Sequence, residues 1–179
     1  TPGSSHCTKS GDGGSGGDGH GDGNTPAPAS GGGGSAPCPG LVDLVFCIDT
    51  SGSAGGGILT AEVDFVKSLI DTLSDNGQNF GCLKVGIMNW GSQNIVRIGL
   101  STDYQAIKTA LNVGQLLGGS QPELCLDAAQ TMLTDTSKLG ARDAALKVIV
   151  LLADGIQPRG ATDPALTSAN AAKNAGTTI

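Results

Sequence analysis

Leu41-Val42-Asp43-Leu44-Val45-Phe46-Cys47-Ile48 runs directly into Asp49-Thr50-Ser51-Gly52-Ser53. The first eight of these residues are near-continuously apolar, broken only by Asp43, which is strand length. Apolar side chains at both parities predict a strand covered on both faces, the pattern of a parallel sheet with helices above and below it. The polar run that follows is then a loop at the carboxyl end of that strand, where open α/β sheets place their ligands.

Downstream, strand and helix signals alternate. Ile58 to Leu73 sets Leu59, Val63, Val66, Ile70 and Leu73 at helical spacing, with Phe65 and Leu69 widening the stripe. Leu83 to Trp90 and Asn94 to Leu100 read as strands joined by Gly91-Ser92-Gln93, a hairpin-length connection that implies an antiparallel pair. Tyr104 to Leu117 and Pro122 to Leu133 read as helices, with Gly118-Gly119 breaking the chain between them and Pro122 suited to a first turn. Leu146 to Ala153 reads as a second fully buried strand, Pro164 to Asn174 as an Ala-rich helix, and Thr177-Thr178-Ile179 as the start of a further strand. This order predicts an α/β fold, doubly wound, with a mostly parallel sheet and one antiparallel edge strand.

Upstream, the composition changes. Residues 1–38 hold 13 of the 30 glycines of the 179-residue chain, about one residue in three, in a Gly/Pro/Ser-rich stretch with no apolar run able to offset the entropy of ordering. It reads as a tether. Gly13 to Gly21 fits one copy of a calcium-binding glycine-aspartate repeat, which would use Asp12, Asp18 and Asp22, but such repeats bury a core only when several stack. Residues 39–179 make the second domain. Five cysteines, Cys7, Cys38, Cys47, Cys82 and Cys125, contain no metal-binding spacing, so disulfides and an oxidising, extracellular or cell-surface location are expected. Cys7 is expected to pair with Cys38 and Cys47 to reach Cys125, or else Cys47 and Cys125 are small buried hydrophobes.

A net charge of −6 with scattered basic residues argues against nucleic acid as a partner. No apolar run has the length of a membrane span. The chain opens on Thr1 without Met, so it is expected to be a processed form or a piece of a larger protein or assembly.

Three loops fall at the carboxyl ends of the predicted sheet: Asp49 to Ser53, Gly118-Gly119-Ser120-Gln121, and Asp154-Gly155. They offer two carboxylates and three serine hydroxyls, with no imidazole or thiolate. That donor set suits a hard cation, Mg2+ first, with Mn2+ or Ca2+ as alternatives. DTSGS after a buried strand, GGSQ, and LLADG, in this order and spacing, resemble the metal-ion-dependent adhesion site (MIDAS) of von Willebrand factor type A domains. The resemblance covers Pro39 to Ile179. It implies Ser51, Ser53 and Ser120 as hydroxyl ligands, Asp49 and Asp154 as direct or water-mediated ligands, and a protein partner whose Asp or Glu completes the metal's coordination.

The chain also departs from that family. Ser120 stands where Thr is usual, and Gln121-Pro122 stands where Asn-Thr is usual, which stiffens the loop. Glu123 adds a carboxylate near the site or a favourable charge in the first turn of a helix. The family's last strands and helices are missing after Ile179, so residues 1–179 alone are expected to oligomerise or aggregate through the uncovered sheet. Two other functions are weighed. A Mg-dependent hydrolase with Asp49 as nucleophile would want a second carboxylate at position 51 and a nearby Lys or Arg, and neither is present. A structural subunit with a vestigial site differs from an adhesion module in metal content.

Overall fold

The computed structural model describes residues 40–74, 80–116, 118–155 and 163–179. The expected tether, with Asp12, Asp18, Asp22, Cys7, Cys38 and the bond expected between those cysteines, lies outside the described residues. Four strands form one sheet in the order β3-β2-β1-β4. They are β1 (Val42–Asp49), β2 (Leu83–Trp90), β3 (Asn94–Ser101) and β4 (Leu146–Leu151). β1 runs parallel to both neighbours, β2 and β4, and β2 pairs antiparallel with β3 through the expected hairpin. The doubly wound, mostly parallel sheet with one antiparallel edge strand is thus present.

The alternation of β1 divides the core in two. Leu44, Phe46 and Ile48 point to a cluster that holds Leu59, Val63, Val66 and Ile70 of α1 (Gly55–Leu73), together with Ile107 of α2 (Tyr104–Ala110). Val45 and Cys47 point to a second cluster with Cys125, Leu126, Ala129 and Met132 of α3 (Pro122–Thr134) and Ala172 of α4 (Pro164–Asn174). Each such buried aliphatic side chain contributes about 1.5 to 3 kcal/mol, so β1 is the element on which both layers depend. Gly86 of β2 keeps room for the Met132 sulfur, which a Cβ would strike.

Four expectations need correction. The helix expected over Tyr104 to Leu117 ends at Ala110, because the chain turns there: Asn112 N–H donates to Thr109 O and Leu116 N–H to Thr50 O, 2.6 Å away. β4 is not fully buried. Ile149 is buried in it while Leu146 is 56% exposed, and the outer edge of β4 meets Thr178 in a single parallel bridge. Leu73 does not belong to the buried stripe of α1 and Phe65 does not widen it; they are 48% and 49% exposed. α1 also begins at Gly55, three residues before the apolar spacing does.

Asp43, the polar break in β1, is fully buried under Arg142. Arg142 donates its backbone N–H to Asp43 Oδ2 at 2.7 Å and Nε–H to Oδ1 at 2.8 Å, and its Nη2 also reaches Val42 O and Cys82 O. A carboxylate stripped of water is tolerated because a planar, multidentate cation replaces the solvent. On the outer side of the sheet, Asp71 of α1 accepts from Lys108 and Tyr104 of α2, and those bonds hold its carboxyl below the ordinary carboxylate range. This partly exposed pair is worth no more than about 1 kcal/mol.

Arg142→Met should therefore destabilise the fold by about 3 to 5 kcal/mol, because it leaves Asp43 charged, buried and unpaired. Adding Asp43→Leu should recover much of that loss. Urea unfolding of the single and double variants measures both values, and equal midpoints for wild type and Arg142→Met would contradict the assignment.

Candidate functional site

β1 and β4 are neighbours whose connections leave the sheet toward opposite faces, so the crevice between their carboxyl ends is the topological switch point. Asp49 closes β1 at this point and is fully buried, as are Thr50 and Ser51. The loop after it folds back on itself. Asp49 Oδ1 accepts the Ser51 N–H at 2.8 Å, and the hydroxyls of Ser51 and Ser53 lie 3.0 Å apart. Ser53 is exposed and opens the pair to solvent.

Backbone bonds bring the second loop to the first and to the turn after β2. Gly52 N–H donates to Gly118 O at 3.2 Å, Leu116 N–H donates to Thr50 O, and Gln121 N–H donates to Gly91 O. Gly118 has φ of +139°, and a Cβ there would lie 2.8 Å from Ser92 Cβ, so the turn requires glycine. Ser120 sits in this loop, directly before Gln121, the N-cap of α3, and Pro122 opens the helix as expected. The third loop approaches from β4: Leu152 N–H donates to Cys47 O at 2.9 Å, and Asp154 N–H points at Asp49 Oδ2 from 3.5 Å. Glu123 occupies the first turn of α3, where its charge complements the helix dipole.

The Cys47–Cys125 disulfide spans a sequence separation of 78 residues and is fully buried. It ties the strand that ends in Asp49 to the helix that follows Ser120. This is the pairing expected from the sequence.

Three contributors were not anticipated. Glu62, on the inward face of α1, is only 9% exposed, and its Oε2 accepts the Asp49 N–H at 2.9 Å. Burial pushes its carboxyl up to about 7; the Asp49 bond opposes the shift, and the charges of Asp49 and Asp154 reinforce it. The sequence signal was an acid three residues after Leu59 and four before Val66, inside an otherwise apolar stripe. Gln115 donates Nε2–H to Ser51 O at 3.2 Å, which pins the loop from the side. Under the loop, Asn89 Nδ2 donates to Thr50 Oγ1, which itself donates to Trp90 O.

The residues present suit a hard divalent cation. Among the described residues, none of the ion pairs involves Asp49, so its buried carboxylate lacks the cationic neighbour that Asp43 has. Also among the described residues, no three His, Cys, Asp or Glu side chains gather into a metal cluster, so hydroxyls would have to supply the remaining ligands. Among those residues, no helix is long and apolar enough to cross a membrane.

Comparison with known proteins agrees with this architecture. Proximal thread matrix protein 1 from the mussel byssus, in a structure with a zinc-occupied MIDAS motif, superposes with a TM-score of 0.65 at 21% identity. The match covers 79% of this chain and 37% of that one. BatB, a conserved hypothetical protein from Bacteroides thetaiotaomicron, gives a TM-score of 0.62 at 19% identity over 76% of this chain and 63% of its own. The pilus adhesin SpaC from Lactobacillus rhamnosus GG gives 0.60 at 20% identity over 77% and 23%. The chain spans less than two thirds of the length of these neighbours, and at such identities the likeness is one of fold. No curated protein sequence matches it. The family model of the von Willebrand factor type A domain matches residues 43–179, and the chain belongs to that family.

Proposed function

We propose that the chain is an adhesion or assembly module that binds a protein partner through a divalent cation, Mg2+ first, held at Asp49, Ser51, Ser53, Ser120 and Asp154. The observation that supports this most directly is the contrast between two buried acids of one strand. Asp43 is neutralised by Arg142, while the carboxylate of Asp49, equally buried, accepts from the Ser51 backbone amide in a loop that also carries the Ser51–Ser53 hydroxyl pair. A divalent cation would supply the missing charge and a coordination position for an Asp or Glu of the partner.

The chain's own residues set what can bind there. Asp49 Oδ1 is held by the Ser51 amide, which leaves Oδ2 directed toward the third loop. Ser51 and Ser53 form a hydroxyl pair at the solvent boundary, and Gln115 and the Gly52–Gly118 bond keep the loop closed beneath them. Ser51 also stands where a phosphotransferase of similar sheet would need a second carboxylate, which supports a binding module over an enzyme. An extracellular or cell-surface location fits the buried Cys47–Cys125 bond, since disulfides persist in oxidising compartments. The named neighbours, a pilus adhesin and a byssal matrix protein, fit it too.

Calorimetric titration of the full chain with Mg2+, Mn2+, Ca2+ and, because the mussel protein's MIDAS holds zinc, Zn2+ tests this reading. One site is expected, absent in Asp49→Ala and weakened in Ser51→Ala, with saturating cation raising the melting temperature by mass action. Equal binding by wild type and both variants would refute the assignment.

Gly118→Ala is a second test. The substitution forces an L residue into left-handed backbone against Ser92, costing about 1 to 3 kcal/mol, and it shifts the loop that carries Ser120. Cation affinity should fall together with the melting temperature, whereas Gly57→Ala, at an exposed helix position with open space around it, should leave cation affinity unchanged and raise the melting temperature slightly.

A further inference from the structure

We infer that Glu62 is a positioning residue for the cation site: from α1 it takes the one backbone amide that the splaying of β1 from β4 leaves without a strand partner, and so fixes Asp49. The inference rests on the proposed site and adds a residue to it. In a strand, successive N–H groups point to opposite neighbours. Thr50 N–H donates to Trp90 O of β2, so the Asp49 N–H points the other way, toward β4. The β1–β4 pairing stops at Cys47↔Leu151, however, because β4 turns away into the third loop. A crevice for a ligand at the switch point therefore creates an orphan amide at the residue whose carboxylate must be aimed.

Glu62 Oε2 takes that amide at 2.9 Å, a contact between residues thirteen apart in sequence. Its neighbours on the helix face are Leu59, Val63 and Val66, so the carboxylate lies in an apolar stripe, where burial without a purpose is costly. It is not placed as a ligand: it meets the backbone of Asp49, and among the described residues no three acids gather around a common point. With its amide held from behind and its Oδ1 held by Ser51 N–H, Asp49 has little freedom to swing out of line. Outer-shell partners of metal ligands act in this way.

The test compares wild type, Glu62→Gln and Glu62→Leu as full chains. Gln keeps an acceptor oxygen at the same reach; Leu keeps the volume and removes the acceptor. In Mg2+ titrations, Glu62→Leu should lose about 10- to 100-fold in affinity, and Glu62→Gln should recover most of it. In the metal-free proteins, amide hydrogen exchange at Asp49 should be slow in wild type and Glu62→Gln and fast in Glu62→Leu. The metal-free melting temperature of Glu62→Leu should fall modestly, because relief of the desolvated acid offsets only part of the cost of leaving the Asp49 N–H unpaired. Unchanged Mg2+ affinity in Glu62→Leu, or Glu62→Gln no better than Glu62→Leu, overturns the inference while leaving the site intact. Absence of Mg2+ uptake by the wild type overturns both.

Discussion

The end of β1 is the constraint from which the rest follows. A central strand hydrogen-bonded on both sides must lose one neighbour somewhere if the sheet is to open a crevice, and here it loses β4 after Cys47. Every polar group beyond that point needs a new partner, because the layers of helices on both faces exclude water. Thr50 remains attached to β2, Asp49 is passed to Glu62, and Ser51 is closed on the Asp49 carboxylate. Loop geometry at the site is thus a consequence of satisfying the backbone where the sheet divides.

The two acids of β1 show how position determines role. Asp43 and Asp49 share a parity and are equally buried, yet they sit at opposite ends of the strand. At the amino end the neighbouring elements converge, so one arginine can reach Asp43, Val42 O and Cys82 O together and saturate the acid within the protein. At the carboxyl end the elements diverge, and the described contacts of the Asp49 carboxylate are backbone amides, which cannot balance its charge. The first acid is therefore a structural ion pair, and the second is suited to an external cation.

How much of this could be read from sequence depended on whether a feature was local. Double-sided burial of β1, the β2–β3 hairpin, Pro122 at the start of α3 and the N-terminal part of α2 follow from periodicity and turn residues, and they stand in the structure. The three-loop spacing was legible because each loop is contiguous. Glu62 and Gln115 were missed because their roles exist only through contacts thirteen and 64 residues away. The early end of α2 was missed for a related reason: Leu116 is drawn to Thr50 by a tertiary bond that outweighs the helical propensity of the residues before it. The half-exposure of β4 depends on what pairs with its outer edge, which its own apolar run does not encode.

The connections between the first two loops bear on how such a site would respond to a partner. Two backbone bonds and the Gln115 side chain hold the second loop to the loop after β1, a third backbone bond ties Gln121 to Gly91 between β2 and β3, and the Cys47–Cys125 bond ties α3 to β1. Pro122, buried at the start of α3, fixes the backbone immediately after Gln121. A loop with this many attachments does not readily exchange between two arrangements, because each attachment would have to break in concert. On the proposed function, binding at the first two loops would belong with preorganised recognition, in which little ordering entropy remains to be lost.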